Sequence, residues 1–188
     1  EQVKEEYGKR GYQIVAYTDH EVVYSHNDLS DDKFLAINGY EIDISDSAEP
    51  DGHFRRCYHF NAYALESGDN SALLPKPAYG DIPAINRFIQ KLNDNGFLVC
   101  YNHPYWSLQT MDDYRSLDGL FAVEILNYSA FNGDGLDGEQ VHVYDTMLRL
   151  GKRLCCVAAD DNHNRRPLDH PQSDSFGGFV MIKPENPD

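Results

Sequence analysis

Three apolar runs of strand length empty directly into ionisable residues, and this constrains the chain more than any bulk property. "IVAY" runs into Thr18, Asp19 and His20, "FLVCY" into Asn102, His103 and Pro104, and "LCCVAA" into Asp160, Asp161, Asn162 and His163. A fourth run, "FAVEILN", carries Glu124 and ends in Asn127. Strands apolar on both faces need cover on both, and the usual solution is a parallel sheet with helices outside it. In such architectures the C-terminal strand edges are where active sites are built. Several strands delivering His or Asp to that edge therefore form a constellation rather than a scatter.

The segments between the runs supply the helices. "EQVKEEYGKRG" predicts a short polar helix with Val3 and Tyr7 on one side and Gly11 as its stop. "YGDIPAINRFIQKLNDNG" is the clearest helix: Asp81 caps it, Pro83 sits in its first turn, and Ile82, Ile85, Phe88, Ile89 and Leu92 form one stripe ending at Gly96. "EQVHVYDTMLRLG" predicts another, striped by Val141, Tyr144, Met147 and Leu148. Further strands are expected in "KFLAINGYEIDI", interrupted at Asn38-Gly39, in "CYHFNAYAL", and finally in "FGGFVMIKP". A chain of 188 residues suits one domain. Because no glycine-rich phosphate loop follows any strand, a barrel is favoured over an open doubly wound sheet.

Charge narrows the partners. A formal net charge of −15 repels phosphate backbones, which argues against nucleic acid and is compatible with divalent cations. No apolar run approaches the roughly 18 residues of a membrane span. Cys57, Cys100, Cys155 and Cys156 form no C-x-x-C pair and sit in or beside apolar runs, so they read as buried thiols of a reducing, cytoplasmic compartment.

Two more ionisable groups lie on strands, Glu41 in "NGYEIDI" and His59 in "YHFNAYAL". Imidazole and carboxylate together suit first-row divalent metals, and a carboxylate can bridge two of them. Asp161 and His163 are two apart, so an extended segment points both the same way. Any one of these histidines alone is more often a hydrogen-bonded structural residue; the joint placement favours ligation. Glu124 reads as an orienter of a ligand rather than a ligand. His26, His53, His142 and His170 read as surface residues, with His26 close enough to the His20 strand to matter. Arg165 and Arg166 follow His163 and are candidates to hold a phosphate, equally readable as a solvated loop pair. Tyr105 and Trp106 are candidate pocket walls or simple packing residues.

In order along the chain, "YTDHE", "NGYEI", "YHFNAYAL", "NHPYW" and "AADDNH" resemble the T-D-H, G-x-E, strand His, H-P and D-x-H pattern of the PHP (polymerase and histidinol phosphatase) family. The resemblance covers nearly the whole chain, from Tyr12 to Phe179. It implies a distorted (β/α)7 TIM-like barrel with two or three divalent ions (Zn, Mn or Fe) at its C-terminal face, hydrolysing a small phosphate ester with metal-activated water. Under it Glu41 is the bridging carboxylate, His59 and His103 bind one metal, and Asp161 binds its neighbour. His20 and His163 serve a third position, with Asp19 orienting the ligands around His20. The family's opening H-x-H motif is missing, so the expectation is a segment of a longer protein, incomplete at the first strand and short of two ligands. Two other functions fit the same residues: another metal-dependent hydrolase cleaving amides or esters, and a non-catalytic metal-binding or structural barrel.

Overall fold

Six strands form one sheet in chain order: β1 (Ile14–Tyr17), β2 (Leu35–Ser45), β3 (Cys57–Ala64), β4 (Phe97–Asn102), β5 (Ala122–Asn127) and β6 (Cys155–Ala159). This is a computed structural model, and it describes residues 1–46, 56–66 and 74–183. The α-helices among them are α1 (Gln2–Gly8), α2 (Ile82–Asp94), α3 (Met111–Tyr114) and α4 (Val141–Arg149). β1 pairs parallel with β2, β3 runs antiparallel to both β2 and β4, and β4, β5 and β6 are parallel. All the strands but β3 therefore share one direction.

This mixed sheet with few helices is not the (β/α)7 TIM-like barrel of the PHP type expected from sequence. Between β1 and β2 there is only a short 3-10 turn, Asn27–Leu29. The connection from β3 to β4 contains α2, which reads as a crossover, yet it ends where it began: the Leu65 N–H donates to the Gly96 carbonyl at 2.9 Å. It is an enlarged hairpin with a helix in its loop. Burial on both faces misled in the same way, because the first six residues of β3 are all buried. Continuous apolarity reports burial, not strand direction.

Local chemistry otherwise acts as expected in α2. Asp81 Oδ1 accepts the Ala84 N–H at 3.0 Å, Pro83 occupies the first turn, and Ile85, Phe88, Ile89 and Leu92 are buried. They pack with Ile42 and Ile44 of β2, Tyr58 and Phe60 of β3, and Val99 and Tyr101 of β4. Full burial of each such side chain contributes about 1.5–3 kcal/mol. In α4 the inward face is Val143 and Met147; Val141 and Leu148 are exposed, so the stripe is turned from the one expected.

Asn38-Gly39 does not interrupt β2. Gly39 is needed there because a Cβ would lie 2.6 Å from the Ala62 carbonyl oxygen of β3. The expected last strand does not form among the described residues: Phe179, Val180, Met181 and Ile182 are exposed and unpaired with the sheet. No described helix is long and apolar enough to cross a membrane. All four cysteines are unpaired, with Cys57 and Cys100 buried but Cys155 exposed, the last against expectation.

Candidate metal centre

The reversed direction of β3 decides where His59 falls. It is the third residue of its strand, yet it pairs with Asp43 of β2 and with Asn102, the last residue of β4. An antiparallel β3 thus brings its beginning to the edge where its neighbours end. His103 follows Asn102 directly, at φ 23, a left-handed conformation unusual for a residue with a side chain. Glu41 lies deeper in β2, opposite Asn61.

His20 reaches the same place by register. β1 and β2 pair Tyr17 with Asn38, and the same offset continues beyond β1 to set His20 beside Glu41. The Glu41 N–H donates to the Asp19 carbonyl at 3.1 Å, and the Glu21 N–H donates to the Glu41 carbonyl at 2.9 Å. The ionisable pair after "IVAY" thus extends the parallel ladder to the carboxylate.

Glu41 is the hub. Its Oε1 lies 2.9 Å from His59 Nδ1, 3.3 Å from His103 Nε2 and 3.3 Å from Asn102 Nδ2. Its Oε2 lies 3.4 Å from His20 Nε2. Glu41, His59 and His103 are all buried, and one ligand atom from each lies within 4.8 Å of the others, close enough to hold a metal ion. Both imidazoles are oriented by further partners: His59 Nε2 is 3.5 Å from Asp43 Oδ2, and His103 Nδ1 is 3.1 Å from Ser107 Oγ. Such outer contacts fix ring orientation and raise ligand basicity, so two imidazoles and a carboxylate suit a divalent cation.

The electrostatics follow from this crowding. Burial alone would push the Glu41 carboxyl up, but hydrogen bonds from His103 and His59 hold it well below the usual carboxylate range. Burial would lower both imidazoles; bonds to Asp43, Cys57 and Glu41 raise His59, and the bond to Glu41 raises His103. Glu124 goes the other way, pushed up to about 7 by burial, although His103 opposes the rise.

Glu124 shows how β5 is adapted to this job. Its Oε2 accepts the His103 N–H at 2.8 Å and the Asn127 side-chain N–H at 3.1 Å. Residues three apart in a regular strand face opposite sides, but the register of β5 against β6 slips between Glu124 and Leu126. The extra residue restores parity and lets Glu124 and Asn127 meet. Asn127 also donates to Asp161 Oδ2 at 3.2 Å.

Asp161 and His163 come together by a turn rather than by pleating. β6 ends at Ala159, and Asp161 adopts φ 53. His163 Nδ1 lies 2.8 Å from the Asp161 carbonyl oxygen, and its Nε2 lies 3.2 Å from His20 Nε2. A ring nitrogen facing a carbonyl must carry the proton, so Nε2 of neutral His163 presents its lone pair.

All six residues singled out as ligands, His20, Glu41, His59, His103, Asp161 and His163, line one cavity of about 80 Å³. Arg165 lines it too, with Trp106, Ala130 and Asp134. The Asp19 carboxylate does not: it is half exposed and 3.7 Å from His26 Nε2. His26, expected at the surface, is part-buried and stacks on Tyr17 with ring centroids 4.2 Å apart. Arg166 and Tyr105 are exposed and do not line the cavity. His53 lies outside the described residues.

Sequence reasoning missed Asp134 and the role of Asp160. Asp160 Oδ2 accepts the Tyr7 hydroxyl at 2.6 Å and the Phe176 N–H at 2.6 Å, while Oδ1 accepts the Gly177 and Gly178 N–H groups at 2.8 and 2.7 Å. It ties α1 and the segment after Ser175 to the end of β6. Asp161, its neighbour in the same motif, lines the cavity, whereas Asp160 serves the fold. No family model, curated protein or solved structure matches this chain.

Proposed function

We propose that the chain is a metal-dependent phosphoesterase acting on a small phosphorylated molecule. One observation carries the reading: a buried carboxylate shared by two buried, outwardly braced imidazoles, opening on a cavity whose rim bears a guanidinium. The order of motifs that resembles the PHP family supports it, as does the small size of the cavity. Four unpaired thiols are in keeping with a reducing compartment such as the cytoplasm.

Glu41, His59 and His103 hold the first cation in this reading, and His20, Asp161 and His163 extend the site toward a second. A divalent ion bound there supplies Lewis acidity, polarising a phosphoryl oxygen and acidifying water. The residues do the rest. Carboxylates of Glu41, Asp161 and Asp134 line the cavity, so an anion enters beside the positive charge of Arg165 and of a bound cation. Arg165 offers N–H groups in a fork that matches phosphate oxygens. His163 turns Nε2 to the cavity, where its one free lone pair can serve that second cation.

Metal per chain, measured by plasma mass spectrometry after extensive dialysis, comes first, followed by phosphate-ester, carboxyl-ester and amide substrates. About one equivalent or more of a first-row metal, with phosphate-ester hydrolysis, is the expected result. Metal uptake with amide cleavage would move the protein to another hydrolase class. Uptake with no turnover would make it a metal-binding module, and no uptake would overturn the reading.

A further inference from the structure

Asp134 stands at the mouth of the cavity and joins two of its walls. Its Oδ1 pairs with an Arg165 guanidinium nitrogen at 2.7 Å, and its Oδ2 accepts the Trp106 indole N–H at 3.3 Å. The residue leaves the π-helical segment Ser129–Gly133, and its backbone N–H donates to the Ser129 carbonyl at 3.0 Å. Trp106 in turn packs edge-on against His103, ring centroids 5.0 Å apart. Asp134 is therefore held from its own backbone and from both side-chain partners.

Among the described residues, Arg165 is the only guanidinium or ammonium lining the cavity, and a carboxylate already engages it. A carboxylate and a phosphate oxygen make the same kind of charge-assisted bond to guanidinium, so they compete for the same fork. The Arg165 and Asp134 side chains are 45% and 29% exposed, and ion pairs this open to water are weak. A dianion with three oxygens can displace such a partner. A monoanionic carboxylate gains nothing over Asp134 itself.

We propose that Asp134 is a selectivity residue of the anion site: it keeps Arg165 turned to the cavity and yields it to phosphate-like dianions but not to carboxylates. The inference deepens the phosphoesterase reading and rests on it for its biological sense, while the competition at Arg165 can be measured without metal.

Trp106 is the chain's only tryptophan, so its emission reports on the Asp134 contact. The probe is inorganic phosphate, titrated into the whole chain, metal-free and again with zinc, with acetate as the monoanion control. The expected result is a saturable change with phosphate and none with acetate. Asp134→Asn removes the charge and keeps the shape; it should tighten phosphate about threefold to tenfold and admit acetate. Asp134→Glu should return affinity toward the parent value, which a merely structural role for this side chain would not predict. Arg165→Gln should abolish the response, and circular dichroism checks that each variant is folded. Equal phosphate affinity in Asp134→Asn and the parent overturns the proposal, as does a response that survives Arg165→Gln or no response in any chain. Zinc uptake on the same samples separates the two readings. A chain that takes no zinc but shows the Asp134 effect sinks the metal reading alone, and a chain that takes zinc without that effect sinks this one alone.

Discussion

The deep half of the site and its rim are built by different means. Glu41 and His59 sit inside hydrogen-bonded strands, and His103 follows one directly; all three are buried. His20, Asp161, His163 and Arg165 lie beyond strand ends, and the side chains of His20 and Arg165 are each 45% exposed. Ladder register places Glu41 and His59, and its continuation past β1 sets His20 at the rim. A left-handed conformation seats His103 directly after its strand, whereas a left-handed turn and loop contacts place Asp161, His163 and Arg165. A site of this kind should have a rigid, high-affinity floor and an adjustable rim.

The largest break should come from Glu41→Gln. It replaces one carboxylate oxygen by an amide nitrogen and removes the negative charge that His59 and His103 share. Changes to residues that only orient ligands typically cost about tenfold to a hundredfold in metal affinity, so loss of this hub should exceed about a hundredfold. Zinc titration against a competing chelator measures it. His103→Ala should behave similarly, and unchanged occupancy in either variant would remove that residue from the ligand set.

Acidity is the next lever, and its sign differs with and without metal. His59 and His103 are raised above the ordinary value of 6.5, so metal must displace protons that still sit on the rings near neutrality. Zinc affinity should fall with decreasing pH between about pH 8 and about pH 6, about tenfold per unit for each ring that must lose a proton and so up to about a hundredfold per unit for the pair. In the metal-free chain the trend reverses: raised imidazoles contribute stability that is fully present below 6.5 and is lost as pH rises through their folded values. The lowered Glu41 carboxyl contributes stability present above 4.5 and lost as pH falls through its folded value. Urea unfolding with and without zinc at several pH values should show the two slopes with opposite sign; parallel slopes would mean that zinc does not replace protons in this cluster.

How far these features are legible in the sequence depends on what encodes them. Helix α2 is legible because cap, proline and apolar stripe are all local. The ligand types are legible because His and Asp directly after apolar runs are anomalous for packing alone. Strand direction is not, since the pattern of β3 is the same whichever way the strand runs, and the closing bond from Leu65 to Gly96 spans a segment that contains a helix. Nor is the slip in β5, where "AVEILN" shows no glycine or proline to mark an extra residue. The turn at Asp161 reads as extended chain, and Asp134 reads as one more acid in a polar loop. Each omission is a long-range geometric relation that no short window contains.

Asp160→Asn tests whether the floor stands independently of the surrounding segments. Asn offers one acceptor where the carboxylate serves the Tyr7 hydroxyl and three backbone N–H groups, and its own NH₂ would face donors. Leaving such buried donors without partners should lower unfolding stability by about 2 kcal/mol. Zinc affinity at Glu41, His59 and His103 should be little changed, because none of the three touches Asp160. A large loss of affinity would show that the tail clamp and the metal floor are one cooperative unit.

The smallest effect is expected at the rim. His163 Nε2 faces His20 Nε2 at 3.2 Å, and neither ring contacts His59 or His103 by hydrogen bond. Removing His163 deletes a part-exposed group whose other nitrogen bonds the Asp161 carbonyl at 2.8 Å and lies 3.7 Å from the Asp161 carboxylate. The first zinc equivalent should therefore bind His163→Ala within about tenfold of the parent, since the buried ligands remain and lost rim contacts are replaced by water. A second equivalent, if the parent takes one, should weaken far more, and His20→Ala should reproduce this because both histidines border the same gap. Titration resolved into two steps distinguishes the cases. Should His163→Ala instead weaken the first step as severely as Glu41→Gln, metal would be entering at the rim, and the contrast between a rigid floor and an adjustable rim would fail.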